Sequence, residues 1–214
     1  MNNGTPLRQI RAKFDENTIR VYQAYSPQIA TPALRAQSFV SPFKLSRMTW
    51  IKPSFLWMMY RCGWGRKPGQ ERVLAIDISR EGFEWALRNS CLSHFDAAHD
   101  DNEEEWIRRK EKSPVRIQWD PERDIRLERL EHRSIQIGLS GVAVEKYVYE
   151  WIQGISDVTE LARTLESAVA TDDVASIQSL LPVELPYSVP IDIQSRIGMQ
   201  ADEYRGVVQP VWPR

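Results

Sequence analysis

The sequence predicts an α+β fold: one domain over residues 1–181 with a mixed or split β-sheet and flanking helices, followed by a proline-rich extension over residues 182–214 that wraps it. Three observations carry this. Candidate strands and helices interleave irregularly, where a doubly wound sheet would alternate them. No glycine-rich turn joins a strand to a helix in the manner of the dinucleotide-binding folds. The 214 residues are 42% hydrophobic and 27% charged, and a chain of this mass buries roughly 70% of its extended surface on folding, ample for one core.

Residues 18–25 (TIRVYQAY) are rich in β-branched and aromatic types and end at Ser26-Pro27, which predicts a strand. Residues 27–37 have apolar positions at helical spacing and predict a short helix with Pro32 in its first turn. A loop over residues 38–49 carries Lys44 and Arg47. Residues 52–61 (KPSFLWMMYR) predict a helix with Pro53 at its first position and Gly63 as terminator, apolar all round and therefore buried. Residues 63–70 form a glycine-rich basic loop, residues 72–79 a buried strand and residues 80–89 a helix. In residues 102–112 the acids lead and the bases trail, as a helix dipole prefers. Residues 115–119 and 134–139 predict strands, with a loop at residues 120–124 (DPERD). Residues 142–152 and 157–170 predict helices, the second opened by Asp157 and Glu160 at capping-box spacing. Beyond Leu181, Pro182, Pro186, Pro190, Pro210 and Pro213 predict extended chain.

No apolar run approaches the ~18 residues of a membrane span, so no membrane partner is expected. Cys62 and Cys91 make no disulfide framework, and Met1-Asn2-Asn3-Gly4 lacks a signal peptide's apolar stretch. The expectation is a cytoplasmic protein with reduced thiols.

The net charge of −1 conceals a division: residues 1–75 hold 12 bases and 3 acids, and the remainder holds 16 bases and 26 acids. From Asn17 to Gln70 there are eight bases (Arg20, Arg35, Lys44, Arg47, Lys52, Arg61, Arg66, Lys67) and no acid. Such a field serves an anionic, phosphate-bearing ligand, or else the two halves pack together and neutralise each other. The aromatic residues in the same stretch favour the ligand, because they stack on bases and rings.

Other chemistry has less support. Cys91, His94 and His99 lack a fourth ligand of clear spacing, so no metal is expected. Cys62 has no local histidine and reads as a buried structural thiol. The loop from Gly63 lacks the spacing and Lys-Ser/Thr ending of a P-loop. A carboxylate must come from the second half, and the turn predicted at Asp120-Pro121-Glu122-Arg123 offers one, with Glu128 and Glu131 as alternatives to Glu122.

Four blocks, IRVYQAY at residues 19–25, RMTWIKPSFLWMMYR at 47–61, QWDPER at 118–123 and RSIQIGL at 133–139, resemble a domain-of-unknown-function family of bacteria and fungi. The chain is also similar, more distantly, to the ADP-ribosyltransferase superfamily, in which a strand bearing His or Arg, a loop arginine leading into an aromatic helix, and a glutamate at a later strand edge make up the site. Tyr22-Gln23 and residues 47–60 stand where the DNA-modifying branch has a Tyr-His pair and an Arg-x-Pro-Met-Leu-Tyr-like block. Residues 20–26 partly match the Arg-x-x-Gln-Gly-His-Ser string of the RNA 2′-phosphotransferases. The histidine is replaced by Gln23 in one comparison and by Tyr25 in the other.

That resemblance implies an ADP-ribosyltransferase-like fold and NAD as the cofactor. Cleaving the nicotinamide–ribose bond passes through an oxocarbenium-like state and requires cations, an aromatic wall, polar groups for the ribose and a carboxylate. On this reading Arg20, Arg47 and Lys52 hold phosphates, Trp50 or Tyr60 stacks, Gln23 anchors the ribose or carboxamide, and Glu122 is the carboxylate. The acceptor is a protein or a nucleic acid. Two alternatives stand beside it: a non-catalytic module for single-stranded nucleic acid, and an RNA 2′-phosphotransferase-like enzyme using Arg20, Arg47 and Lys52 without a carboxylate.

Overall fold

A computed structural model describes residues 5–100 and 102–199. The strands are β1 (Arg11–Ala12), β2 (Thr18–Tyr25), β3 (Thr49–Ile51), β4 (Arg72–Ser79), β5 (Ser90–Leu92), β6 (Val115–Arg123), β7 (Arg129–Leu139), β8 (Ile152–Asp157) and β9 (Leu185–Pro186). The helices are α1 (Pro27–Ala36), α2 (Phe55–Cys62), α3 (Arg80–Arg88), α4 (Glu103–Lys112), α5 (Val142–Lys146), α6 (Thr159–Ala170), α7 (Val174–Leu180) and α8 (Ile191–Arg196). The sheet is split, as predicted: β2, β4 and β8 form one antiparallel sheet, and β3, β7, β6 and β5 form a second that is mixed because β5 and β6 run parallel.

Central strand β4 is buried along Val73, Leu74, Ala75 and Ile76, as its continuous apolar run requires. The main core joins Ile19 and Val21 of β2 to Ile117, Ile135 and Ile137 of the second sheet and to Phe83 and Leu87 of α3. A smaller core under α2 gathers Tyr22, Phe55, Met58, Met59, Val73 and Leu165. Each of these side chains contributes roughly 1.5–3 kcal/mol by leaving water.

Several expectations are corrected. Pro53 precedes the α2 cap instead of opening the helix, and Ser54 caps it by accepting from the Trp57 amide. Gly63 does terminate it, at φ 58°, where a side chain would be strained. Pro32 lies inside α1, beyond its first turn. Residues 120–123 are strand and not loop: β6 continues through Pro121, which pairs with Arg133, and a bulge follows. Strand β5 pairs only with residues 115–117, so at Pro121 the strand is an edge and the missing N–H breaks no ladder. The helix from Val142 gives way to a π-helical turn at Tyr147–Trp151 and then to β8. Asp157 ends β8, where its carboxylate accepts from the Thr159 amide at 2.9 Å, and α6 begins two residues later.

The segment beyond Leu181 is not wholly extended. Strand β9 pairs with β1, α8 follows Pro190, and Tyr187, Val189, Ile193 and Ile197 enter the main core. Pro210 and Pro213 lie outside the described residues. Among the described residues no helix is long and apolar enough to cross a membrane.

Candidate functional site

The two sheets meet where the Tyr22 amide donates to the Lys52 carbonyl at 2.7 Å. Alternation along β2 places Gln23 and Tyr25 on one face and Arg20 and Tyr22 on the other. Gln23 ties the seam together. The two hydrogens of its Nε2 are shared among the Tyr25 hydroxyl (2.9 Å), Thr49 Oγ1 (2.7 Å) and the Trp50 carbonyl (3.1 Å), and its Oε1 accepts from the Tyr147 hydroxyl (2.8 Å). A buried amide with all of its groups engaged specifies one arrangement.

A cleft of about 760 Å³ opens over this seam. The loop before β3 gives Lys44 and Arg47, β3 gives Thr49 and Trp50, Lys52 follows directly after it, α2 gives Trp57 and Arg61, and the second sheet gives Gln118 and Gln136. The Trp50 indole lies against Gly138, its cross-strand neighbour; a Cβ there would come within 2.9 Å of the ring. The amides of Gln118 (3.1 Å) and Gln136 both donate to Asp120, fixing a carboxylate beside the cleft wall.

The acid-free stretch explains the charge of this cleft. Acids from the second half reach Arg20, which pairs with Asp77 directly across β2 and β4, and Arg66, which pairs with Glu166. Lys67 instead binds the Tyr60 and Arg61 carbonyls at the end of α2. Among the described residues, Lys44, Arg47 and Arg61 have no acidic partner, and all three line the cleft.

The structure thus brings Gln23, Arg47, Trp50 and Lys52 together and leaves Arg20, Tyr60 and Glu122 out of the lining. Arg20 lies on the opposite face of β2, and its pairing with Asp77 corrects the premise that it lacks a local partner. Tyr60 is 41% exposed on the outer face of α2, with the Arg123 guanidinium stacked 3.5 Å from its ring centre. Glu122 is buried, accepting from Ser54 Oγ at 2.9 Å and from the Arg123 amide at 2.8 Å. Burial pushes its carboxyl up despite these bonds. Glu128 and Glu131 are exposed at the far end of the β6–β7 hairpin and do not line the cleft.

Sequence reading missed Glu184, Asp120's position and Arg61. Glu184 is half-buried, accepts from the Phe55 amide at 2.7 Å, and is held well above the usual carboxylate range by desolvation, with Glu122 nearby adding to the effect. Arg61 was visible only as one of eight bases, though its place three residues from Met58 puts both on one helix face. Lys52 is buried at the cleft, and its ammonium is brought down to about 7 by burial and by the neighbouring Arg61. Cys62 and Cys91 are buried free thiols. Among the described residues no group of three or more His, Cys, Asp or Glu side chains is placed to hold a metal ion.

A split, mixed sheet with a cationic, aromatic-walled cleft at its seam defines an α+β protein with a candidate anion-binding site. The chain belongs to the family described as domain of unknown function DUF4291, whose family model matches residues 9–187 and so spans every residue of the cleft. No curated protein matches the chain.

Proposed function

We propose that the protein is a nucleotide-using transferase that binds NAD in this cleft and passes its ADP-ribosyl group to a protein or nucleic acid. One observation carries the reading: of eight bases in the acid-free stretch, four line the cleft with no ion pair among the described residues, and the three exposed ones, Lys44, Arg47 and Arg61, converge on a pocket walled by Trp50 and Trp57. A pyrophosphate joined to flat rings calls for that combination.

In this reading Lys44, Arg47 and Arg61 hold the phosphates and Trp50 receives a ring. When bound, NAD supplies a ribose carbon with nicotinamide as its leaving group. Gln23 keeps the hydroxyls of Tyr25 and Thr49 in place, a positioning role instead of the direct ribose contact first expected. Asp120 lies outside the lining, as Glu122 does, but Gln118 and Gln136 of the lining both bind it, and in this reading it takes the carboxylate role in place of Glu122.

Calorimetric titration with NAD, with nicotinamide release followed in parallel, tests this. Arg47→Ala is expected to weaken binding roughly tenfold or more, the worth of a hydrogen bond to a charged group. Asp120→Asn is expected to stop nicotinamide release while binding persists, and Glu122→Gln to preserve both. No binding at millimolar NAD overturns the proposal and favours single-stranded nucleic acid, whose affinity would fall steeply with salt.

A further inference from the structure

Lys52 differs from the other cleft bases. Its backbone is fixed by the seam, its side chain is only 5% exposed, and Nζ lies 5.5 Å from the Trp57 ring centre. It makes one hydrogen bond, to the Trp50 carbonyl at 3.2 Å. An ammonium brings three donors and no acceptor, and this environment answers one of them while Arg61 adds a like charge. Asp120 and Cys62 act in the opposite sense and are outweighed. Cys62 is itself kept as a thiol by burial. A neutral amine suits the place better: one N–H goes to Trp50, and a lone pair is left for the cleft.

We propose that Lys52 is a nucleophile whose amine forms an imine with the carbonyl carbon of an aldehyde carrying a phosphate group. The phosphate is specified by Lys44, Arg47 and Arg61 at the mouth of the same cleft. The carbonyl is specified by the buried amine and by the Trp57 indole N–H, which is buried without an acceptor among the described residues and supplies a donor for the carbonyl oxygen. In the reaction the Nζ lone pair forms the N–C bond as the C=O π bond opens. Both amine hydrogens then leave with the former carbonyl oxygen as one water, and the C=N bond remains. No further reactant is needed. The inference shares the cations of the nucleotide reading but requires neither a nucleotide nor Asp120.

The test uses the full chain with pyridoxal 5′-phosphate and, separately, with pyridoxal, each followed by borohydride reduction and peptide mapping. The expected result is one reduced adduct, on Lys52, formed at least tenfold faster with the phosphorylated aldehyde. Its rate should rise roughly tenfold from pH 6 and level off by about pH 8, as for an amine titrating near 7. Surface lysines keep gaining about tenfold per pH unit over that range. Lys52→Arg should abolish the adduct. Arg47→Ala, which keeps Lys52, should slow the phosphorylated probe and leave pyridoxal unchanged. Labelling spread over Lys13, Lys44 and Lys67 without preference, or a Lys52 adduct whose rate does not level off, overturns the proposal. Labelling of Lys52 in a protein that does not bind NAD would leave this inference standing and remove the nucleotide reading; NAD binding without labelling would do the reverse.

Discussion

Helix α2 touches two regions of opposite character. Along Trp57, Met58 and Arg61 it borders a cleft with three cations and no ion pair, and at its N-terminus Ser54 and Phe55 bind two carboxyls, Glu122 and Glu184, that also have no ion pair among the described residues. The regions answer the same shortage differently. Lys44, Arg47 and Arg61 are exposed, so water solvates their charge and they remain available to an anion. Glu122 is buried and Glu184 half-buried, and desolvation favours the protonated form of both carboxyls even beside a helix N-terminus. Lys52 belongs to the cleft by position but follows the rule of the carboxyls, because burial decides its charge.

The sharpest way to break this comparison is to remove the cations together. Lys44→Ala, Arg47→Ala and Arg61→Ala combined should lower NAD affinity about a thousandfold or more, with calorimetry as the measure, if each supplies a charge-assisted bond. The fold should survive, since none of the three pairs with an acid in the described structure.

The pH dependence of stability separates the buried groups. Lys52 holds its proton less tightly folded than unfolded, so between about pH 7 and ~10.4 the unfolded chain carries more protons and stability rises with pH. Lys52→Met should reduce that slope by about 1 kcal/mol per pH unit, measured by urea unfolding between pH 7.5 and 9.5. The carboxyls have the opposite sign. Glu184 binds its proton more tightly folded than unfolded, so stability falls as pH rises from ~4.3 through its raised value. Glu184→Gln keeps an acceptor for the Phe55 amide and should stabilise the protein by roughly 1–2 kcal/mol at pH 8, and by less at pH 5.

The smallest effect is expected where the charges are already matched. Arg20→Ala breaks a partly exposed pair with Asp77 and should cost about 1 kcal/mol or less, leaving ligand affinity unchanged. A large loss of NAD binding in this variant would return Arg20 to the site.

Much of this architecture is legible in the chain, and the losses have identifiable causes. Strand β2 and strand β4 match their predicted bounds because alternation and a long apolar run are local signals. Strands β3 and β5 have three residues each and leave no periodicity to read. The Asp-Pro step hid the continuation of β6, since proline's ban from strands lapses at an edge. Helix α8 was hidden in the same way: Pro190 is its N-cap, a position where proline opens a helix.

The site divides similarly. Arg47, Trp50, Lys52 and Gln23 were found because they lie close in sequence to the Tyr22–Lys52 seam in the charge-segregated half. Arg20 was misassigned because its partner is 57 residues away, and pairing across strands is invisible in a count of neighbouring acids. Glu122 and Asp120 are two residues apart, and the bulge after Pro121 decides what each meets.

The central claim is that unpaired cations in the seam cleft hold phosphate. The most direct measurement is calorimetric titration of the wild-type chain and Arg47→Ala with NAD and with nicotinamide riboside, which lacks phosphate. The account predicts that NAD binds the wild type, more weakly at higher salt, that the riboside binds at least tenfold more weakly, and that Arg47→Ala erases most of the difference. Equal affinity for the two ligands, or an Arg47→Ala variant that discriminates between them as the wild type does, would contradict it.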